Sequence, residues 1–154
     1  MTRWDKKVRK RKSIKFSNHW KTPDDFYNEL DKEFNFDFDP CPAHSEFDGL
    51  KTEWGNSNFV NPPYDKKIKT MFIIQSIREA QKGKVCVCLL PVSTSTKLFH
   101  NLILPNASEI RFVKGRLKFL NIDDKDNPKT PTKSGLHDSM VVIFRGKKNE
   151  CKLG

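Results

Sequence analysis

Two adjacent prolines, Pro62 and Pro63, constrain the fold of this chain more than any other sequence feature. Proline fixes its own φ angle and has no backbone N–H, so a Pro-Pro pair ends any strand or helix that reaches it. Residues 58–61 form a short strand candidate, and residues 68–82 repeat apolar side chains at helical spacing. The prolines therefore predict a rigid turn from strand to helix, whose carbonyl groups remain free as hydrogen-bond acceptors.

Strand and helix patterns alternate along the rest of the chain. Phe26, Leu30 and Phe34 share one helical face, and Thr22 is the expected cap of that helix. A further helix is expected over 94–103, with Ser93 or Thr94 as its cap. The remaining strand candidates are residues 36–39, 85–90, 110–113, 117–120 and 140–144. Segments 110–113 and 117–120 are expected to form either a hairpin or one bent edge strand. The pattern predicts an α/β fold with a mostly parallel central sheet and an antiparallel edge strand.

The net charge of +10 is concentrated at the two ends of the 154-residue chain. Basic residues are in excess only in 1–18 and from residue 145 onward, because acidic and basic residues balance in between. Basic segments can bind nucleic-acid phosphates without reading sequence, although such a segment can also serve solubility alone. We predict a flexible basic arm over 1–18, a single domain over 19–146 and a basic tail over 147–154.

Several classes of protein are disfavoured by the sequence. Cys86 and Cys88 fall in a buried strand pattern, and Cys41 with His44 lacks a second pair of ligands nearby, so no metal site is expected. The His44-Ser45-Glu46 triplet lacks the downstream P-C-x-x-C of a zinc deaminase. No apolar segment approaches the ~20 residues that span a bilayer. Without a disulfide framework, a reducing cytoplasm is the expected compartment.

The motif Asn61-Pro62-Pro63-Tyr64 combines a side-chain amide, a free carbonyl and an aromatic ring. The amide oxygen of Asn61 and the carbonyl of Pro62 can each accept one N–H of an exocyclic amine. Tyr64 can stack on a base that has left its duplex, which contributes ~1–3 kcal/mol. The alternative is a structural turn, with Asn61 as a cap and Tyr64 half-buried. The strand before the motif and the helix after it favour the functional interpretation.

The ordered set of motifs resembles the short phage-type Dam family of DNA N6-adenine methyltransferases over most of residues 19–145. The segments that carry the resemblance are Trp20-Lys21-Thr22-Pro23, Phe38-Asp39-Pro40-Cys41-Pro42, Asp48-Gly49-Leu50 with Trp54-Gly55, Asn61-Pro62-Pro63-Tyr64, Leu90-Pro91 with Ser93 and Thr94, Gly115-Arg116 with Phe119, and Val141-Val142-Ile143-Phe144. The resemblance implies an abbreviated Rossmann-like fold, S-adenosylmethionine as methyl donor, adenine in DNA as acceptor, and a bacterial or phage-infected cell.

The resemblance also implies roles for individual residues. The catalytic residues would be Asn61, Pro62, Pro63 and Tyr64. The donor would be bound by Trp20, Thr22, Pro23, Asp39, Pro40, Cys41 and Asp48. For Asp48 there is an alternative, because its side chain can instead cap its own loop. DNA would be contacted by Lys66, Lys67, Arg116, Lys133 and Ser134. Asp65 would cap the following helix or, alternatively, receive the released proton.

The chain departs from the usual methyltransferase pattern at its donor site. No glycine-rich loop follows Asp39, and only residues 40–60 separate Asp39 from Asn61. The half of the sheet that usually surrounds the donor adenosine is therefore expected to be reduced. Three alternatives stay open: a DNA-binding protein with a degenerate scaffold, an N4-cytosine methyltransferase, and a metal-dependent nuclease using Asp37, Asp39 and Glu53. Monomer and homodimer are equally compatible with the sequence.

Overall fold

The computed structural model describes residues 20–42, 47–121 and 137–146. The strands are β1 (Trp20–Lys21), β2 (Ser57–Val60), β3 (Val85–Pro91), β4 (Glu109–Phe112), β5 (Leu120–Asn121) and β6 (Ser139–Arg145). The helices are α1 (Asp24–Phe34), α2 (Lys66–Gln81) and a π-helical segment (Phe99–Ile103) that continues into the short α3 (Leu104–Asn106). The arm and the tail predicted over 1–18 and 147–154 lie outside the described residues.

The main sheet has four strands in the order β2-β3-β6-β4, and only β2 and β3 are parallel. The expectation of a mostly parallel sheet is therefore wrong, because β6 runs antiparallel to both of its neighbours. The first residue of β6, Ser139, pairs with the last residue of β3, Pro91. The chain thus enters β6 at the edge where β3 ends and has to run back along it. The predicted strand 36–39 is reduced to one parallel bridge between Phe38 and Asn58.

Both faces of the main sheet are covered by helices. Alternate residues of β3 point to opposite faces, so each face contributes to its own apolar cluster. On one face Cys86, Cys88 and Leu90 pack with Phe72 and Ile73 of α2 and with Phe99 and Ile103 of the π-helical segment. On the other face Val87 and Leu89 pack with Leu30 and Phe34 of α1. The prediction that Cys86 and Cys88 are buried is confirmed.

A second, two-stranded sheet joins distant parts of the chain. β1 pairs antiparallel with β5, with Trp20 opposite Asn121 and Lys21 opposite Leu120. Segments 110–113 and 117–120 therefore form neither a hairpin nor one bent strand. Gly115, at φ 74°, lies where the chain turns away from β4, and the residues after it leave the main sheet. The small sheet holds the start of α1 close to the end of β2.

The helix boundaries follow the sequence closely, but two caps differ from the prediction. α1 has Pro23 at its N-cap without a side-chain hydrogen bond, so Thr22 does not cap it. The helix predicted over 94–103 is capped later than expected. Its cap is Thr96, whose Oγ1 accepts from the Phe99 backbone N–H at 3.2 Å. α2 ends as predicted just before Gly83, which has φ 92°. In the described ranges, no helix is long and apolar enough to cross a membrane.

Candidate active site

The turn from Asn61 to Tyr64 is fixed at both of its ends. β2 ends at Val60, which is fully buried, and Asn61 follows directly. At the other end Asp65 caps α2, because its Oδ1 accepts from the backbone N–H groups of Lys67 and Ile68 at 3.0 and 3.1 Å. The capping role expected for Asp65 is confirmed. The prolines thus lie in a short connection between two well-anchored elements.

The side chain of Asn61 has a defined orientation. Its Nδ2 donates to Thr22 Oγ1 at 3.1 Å, and Thr22 is buried beneath it. No hydrogen bond among the described residues uses Asn61 Oδ1 or the Pro62 carbonyl. Two acceptors therefore remain available on adjacent residues at the carboxyl ends of β2 and β3.

These acceptors belong to an open pocket at the edge of the sheet. Its lining residues are Asn61, Pro62, Tyr64, Leu89, Leu90, Pro91, Phe119, His137 and Ser139. Tyr64 is 45% exposed, and its ring centroid lies 6.4 Å from that of His137 at an interplanar angle of 45°. His137 could not be predicted from the sequence, because it is a single histidine at the end of a long polar segment. The pocket combines apolar side chains with three aromatic rings, those of Tyr64, Phe119 and His137, and with the two acceptors.

Asp39 and Cys41 lie beside this turn, because the Asn61 backbone forms a hydrogen bond with the Cys41 thiol. Asp39 Oδ1 accepts from the Cys41 backbone N–H at 2.9 Å. Burial raises the pKa of the Asp39 carboxyl from 3.8 to about 6, and the Cys41 N–H opposes that shift. Burial likewise raises the pKa of the Cys41 thiol, while a hydrogen bond from the Asn61 backbone lowers it. A buried carboxyl with a raised pKa is typical of a functional site.

The loop that contains Asp48 packs directly on the Asp39–Cys41 segment. A Cβ atom on Gly49 would lie 1.7 Å from the Pro40 carbonyl oxygen, so only glycine fits there. The Gly49 carbonyl accepts from Trp54 Nε1 at 2.7 Å. Asp48 Oδ1 accepts from the Leu50 backbone N–H at 3.0 Å, which confirms its loop-capping interpretation. A contact between Asp48 and the donor stays a prediction.

The basic residues predicted to contact DNA fall in three places. Lys66 and Lys67 are exposed in the first turn of α2, next to the motif. Arg116 forms an exposed ion pair with Asp138, with Nε 3.2 Å from Oδ1. Lys133 and Ser134 lie outside the described residues. Lys69, which the sequence analysis did not select, is partly buried, and burial lowers the pKa of its ammonium group, with Lys66 adding to the effect.

The acidic residues proposed for a nuclease do not converge. Asp37 uses its two carboxylate oxygens to accept from the backbone N–H groups of Asn56 and Ser57, at 3.1 and 2.9 Å. Asp37 therefore holds the start of β2 in place. Within the described ranges, no group of three His, Cys, Asp or Glu side chains could hold a metal ion. The structure thus gives no support to the nuclease alternative.

The sequence matches the model of a known protein family. The model of the family described as DNA N-6-adenine-methyltransferase (Dam) matches residues 10–153. The chain belongs to the Dam family. The Dam-family match covers the whole candidate active site, from the Trp20–Lys21 strand to β6. Comparisons with curated proteins and with solved structures gave no match.

The raised pKa of Asp39 predicts a pH-dependent effect on the stability of this Dam-family protein. Because the folded state disfavours the charged carboxylate, the favourable contribution is complete below about pH 4 and is lost as the pH rises through about 6. Asp39→Asn removes that charge and is expected to raise the free energy of unfolding at pH 8 by about 2 kcal/mol. Urea unfolding of both proteins at pH 4 and pH 8 measures the difference.

The control for this prediction is Glu53→Gln, which neutralises an exposed carboxylate. Its effect on the free energy of unfolding is expected to be small and equal at both pH values. An Asp39→Asn protein whose stability relative to the native protein is the same at pH 4 and pH 8 would contradict a raised pKa.

Proposed function

We propose that the protein transfers a methyl group from S-adenosylmethionine to the exocyclic N6 of adenine in DNA. Membership of the Dam family supports this reaction at the level of the family. The observation in the structure that carries it is a pair of acceptors, Asn61 Oδ1 and the Pro62 carbonyl, which take no hydrogen bond from the described residues and lie beside the exposed ring of Tyr64. An amine with two N–H groups on a flat aromatic base matches these three features.

The two acceptors orient the amine for reaction. Each accepts one N–H of the adenine amine, which turns the nitrogen lone pair toward the incoming methyl group. The new N–C bond forms as the bond from the methyl carbon to sulfur breaks, and the electron pair of that bond stays on sulfur. The nitrogen then releases one proton to solvent, because Asp65 is engaged as a helix cap. Correct positioning of the reacting atoms contributes most of the acceleration.

The pocket also fits a base that has left its duplex. Extrusion of a base costs a few kcal/mol, and stacking on an aromatic ring offsets part of that energy. The rings of Tyr64 and His137 line the pocket together with the apolar residues Leu89 and Phe119. His137 comes from the segment that directly precedes β6.

The residues near Asp39 fit the methyl donor. S-adenosylmethionine carries two cationic groups and ribose hydroxyls, and it supplies an electrophilic methyl group on sulfur. The Asp39 carboxyl is partly buried and accepts one backbone hydrogen bond, so it retains acceptor capacity for such groups. Together with Pro23, Pro40 and Cys41, it would form the donor site of an abbreviated Rossmann-like fold. Trp20 and Asp48 would complete it.

DNA would approach along the side of the site where the α2 N-terminus lies. Lys66 and Lys67 are exposed there and would contact phosphates on either side of the extruded base. Arg116 would exchange its exposed partner Asp138 for a phosphate, since an exposed ion pair contributes little to stability. The basic ends of the chain, with Lys133 and Ser134, would add sequence-independent contacts.

The direct test is transfer of labelled methyl groups from S-adenosylmethionine to DNA, followed by enzymatic hydrolysis and identification of the modified nucleoside. Label in N6-methyladenine is expected. Label in N4-methylcytosine would contradict the choice of base but keep the reaction class. DNA binding without any transfer, combined with no donor binding in calorimetry, would favour a degenerate scaffold instead.

Tyr64 provides a prediction about binding of the base. Tyr64→Ala removes the stacking surface and is expected to lower kcat/KM for DNA by about 10–100-fold, as loss of ~1–3 kcal/mol per base implies. Tyr64→Phe keeps the ring and is expected to stay within about threefold of the native value, since only the hydroxyl is lost. Steady-state kinetics with varied DNA measures both variants. Equal losses in the two variants would assign the effect to the hydroxyl and not to stacking.

A further inference from the structure

A primary amide can face a ligand with its oxygen or with its NH₂ group, and only one of these two orientations suits an amine substrate. Asn61 must present Oδ1 to accept an N–H from the base, because an NH₂ group there would oppose another donor. A partner that accepts from the NH₂ group turns Oδ1 toward the base, whereas a partner that donates to Oδ1 would turn the NH₂ group there instead. That partner is Thr22, whose Oγ1 accepts from Asn61 Nδ2 at 3.1 Å.

Thr22 is well suited to this task, because the fold holds it in place. It is only 7% exposed and lies between β1, which pairs with β5, and Pro23 at the N-cap of α1. The hydroxyl does not cap α1, although the sequence predicts that role for it. It instead accepts the hydrogen bond from Asn61, which is 39 positions away in the sequence.

We propose that Thr22 is a positioning residue for Asn61, which holds the amide with Oδ1 toward the base. This inference rests on the proposed function, and it differs from the donor contact that the family resemblance implies for Thr22. A donor-binding role would act on the affinity for S-adenosylmethionine. A positioning role acts on the rate of the chemical step, because it sets the fraction of protein whose acceptor is correctly aimed.

The kinetic test compares Thr22→Val, which keeps the shape but removes the hydroxyl, with Thr22→Ser, which keeps the hydroxyl. Thr22→Val is expected to lower kcat about tenfold, with less than about a twofold change in KM for the donor, since one hydrogen bond is lost. Thr22→Ser is expected to retain most of the rate. Thr70→Val is the matched control, because the Thr70 hydroxyl only bonds the Lys66 carbonyl within α2.

A second pair of variants tests the orientation itself. In Asn61→Asp, the two carboxylate oxygens are equivalent, so either orientation presents an acceptor. Thr22→Val is therefore expected to change kcat by less than about threefold in the Asn61→Asp background, against about tenfold with Asn61 present. Equal losses in the two backgrounds, or a raised KM for the donor with unchanged kcat, would overturn the proposal.

A measurement independent of activity separates this proposal from the proposed function. In ¹⁵N NMR spectra, the side-chain NH₂ protons of Asn61 are expected to exchange with water faster in Thr22→Val than in the native protein or in Thr22→Ser. Unchanged exchange in Thr22→Val would overturn the positioning role even if methyl transfer is found. If the native protein transfers no methyl group, the proposed function fails, and the exchange data alone decide whether Thr22 orients Asn61.

Discussion

Replacement of Asn61 by alanine is expected to lower kcat for methyl transfer by about 10²–10³-fold, the usual effect of removing one preorganised polar group at a reacting centre. The expected loss is large because Asn61 supplies one of the two proposed acceptors for the amine, and its Nδ2 already donates to Thr22 Oγ1. The alanine side chain would leave the amine held by the Pro62 carbonyl alone. Single-turnover transfer of labelled methyl groups measures the chemical step directly.

Three further measurements test whether the loss of activity in Asn61→Ala comes from the chemical step and not from unfolding or weaker donor binding. Asn61 is partly exposed, so the free energy of unfolding is expected to change little. Donor affinity in calorimetry is also expected to stay close to the native value. Asn101→Ala, at an exposed asparagine of the π-helical segment, is the matched control and should retain the native rate. A fully active Asn61→Ala protein would remove Asn61 from the mechanism.

Gly49→Ala is expected to be the most destabilising single-methyl change in the described loops. The added Cβ would lie 1.7 Å from the Pro40 carbonyl oxygen, 2.7 Å from the Pro40 carbonyl carbon and 3.2 Å from a ring carbon of Phe72. Two of these atoms belong to the backbone, so the clash cannot be relieved by rotating a side chain. We expect a loss of about 3 kcal/mol or more in the free energy of unfolding, at the upper end of overpacking effects.

The control for Gly49→Ala separates the clash from the general effect of replacing glycine. Gly83→Ala adds a methyl group where nothing lies within 4 Å, at φ 92°, so it tests backbone strain without a clash. It is expected to lower the free energy of unfolding by about 1–2 kcal/mol. Urea unfolding compares the two, and calorimetry with S-adenosylmethionine should show weaker binding only for Gly49→Ala. Gly49→Ala with a loss no larger than that of Gly83→Ala would contradict the close contact.

The features that the sequence predicted well are local ones. The turn at Pro62 and Pro63, the helix that follows it and the cap by Asp65 all depend on residues within a few positions of one another. Proline geometry and helix capping act over that range, so they can be deduced from the residues themselves. The burial of Cys86 and Cys88 likewise follows from the composition of their own strand.

The features that could not be predicted from the sequence depend on pairing between strands that are distant in the chain. The direction of β6 follows from where the chain re-enters the sheet, which no periodicity encodes. The contact of Thr22 with Asn61 requires β1 to pair with β5, and the local pattern instead favoured a capping role for Thr22. His137 reaches the pocket because it precedes β6 on the sheet edge. Single polar residues of this kind carry no pattern before the fold is known.

The pairing of β1 with β5 implies that the active site is completed late in folding. Residues 20–21 and 120–121 meet in that small sheet, so about a hundred residues of chain must be present before it can close. Contacts this distant in sequence form late, because they carry a large loop-closure entropy. Thr22 directly follows β1, so its hydrogen bond to Asn61 depends on the same long-range closure. Methyl transfer would then require this closure, and not only the local turn from Asn61 to Tyr64.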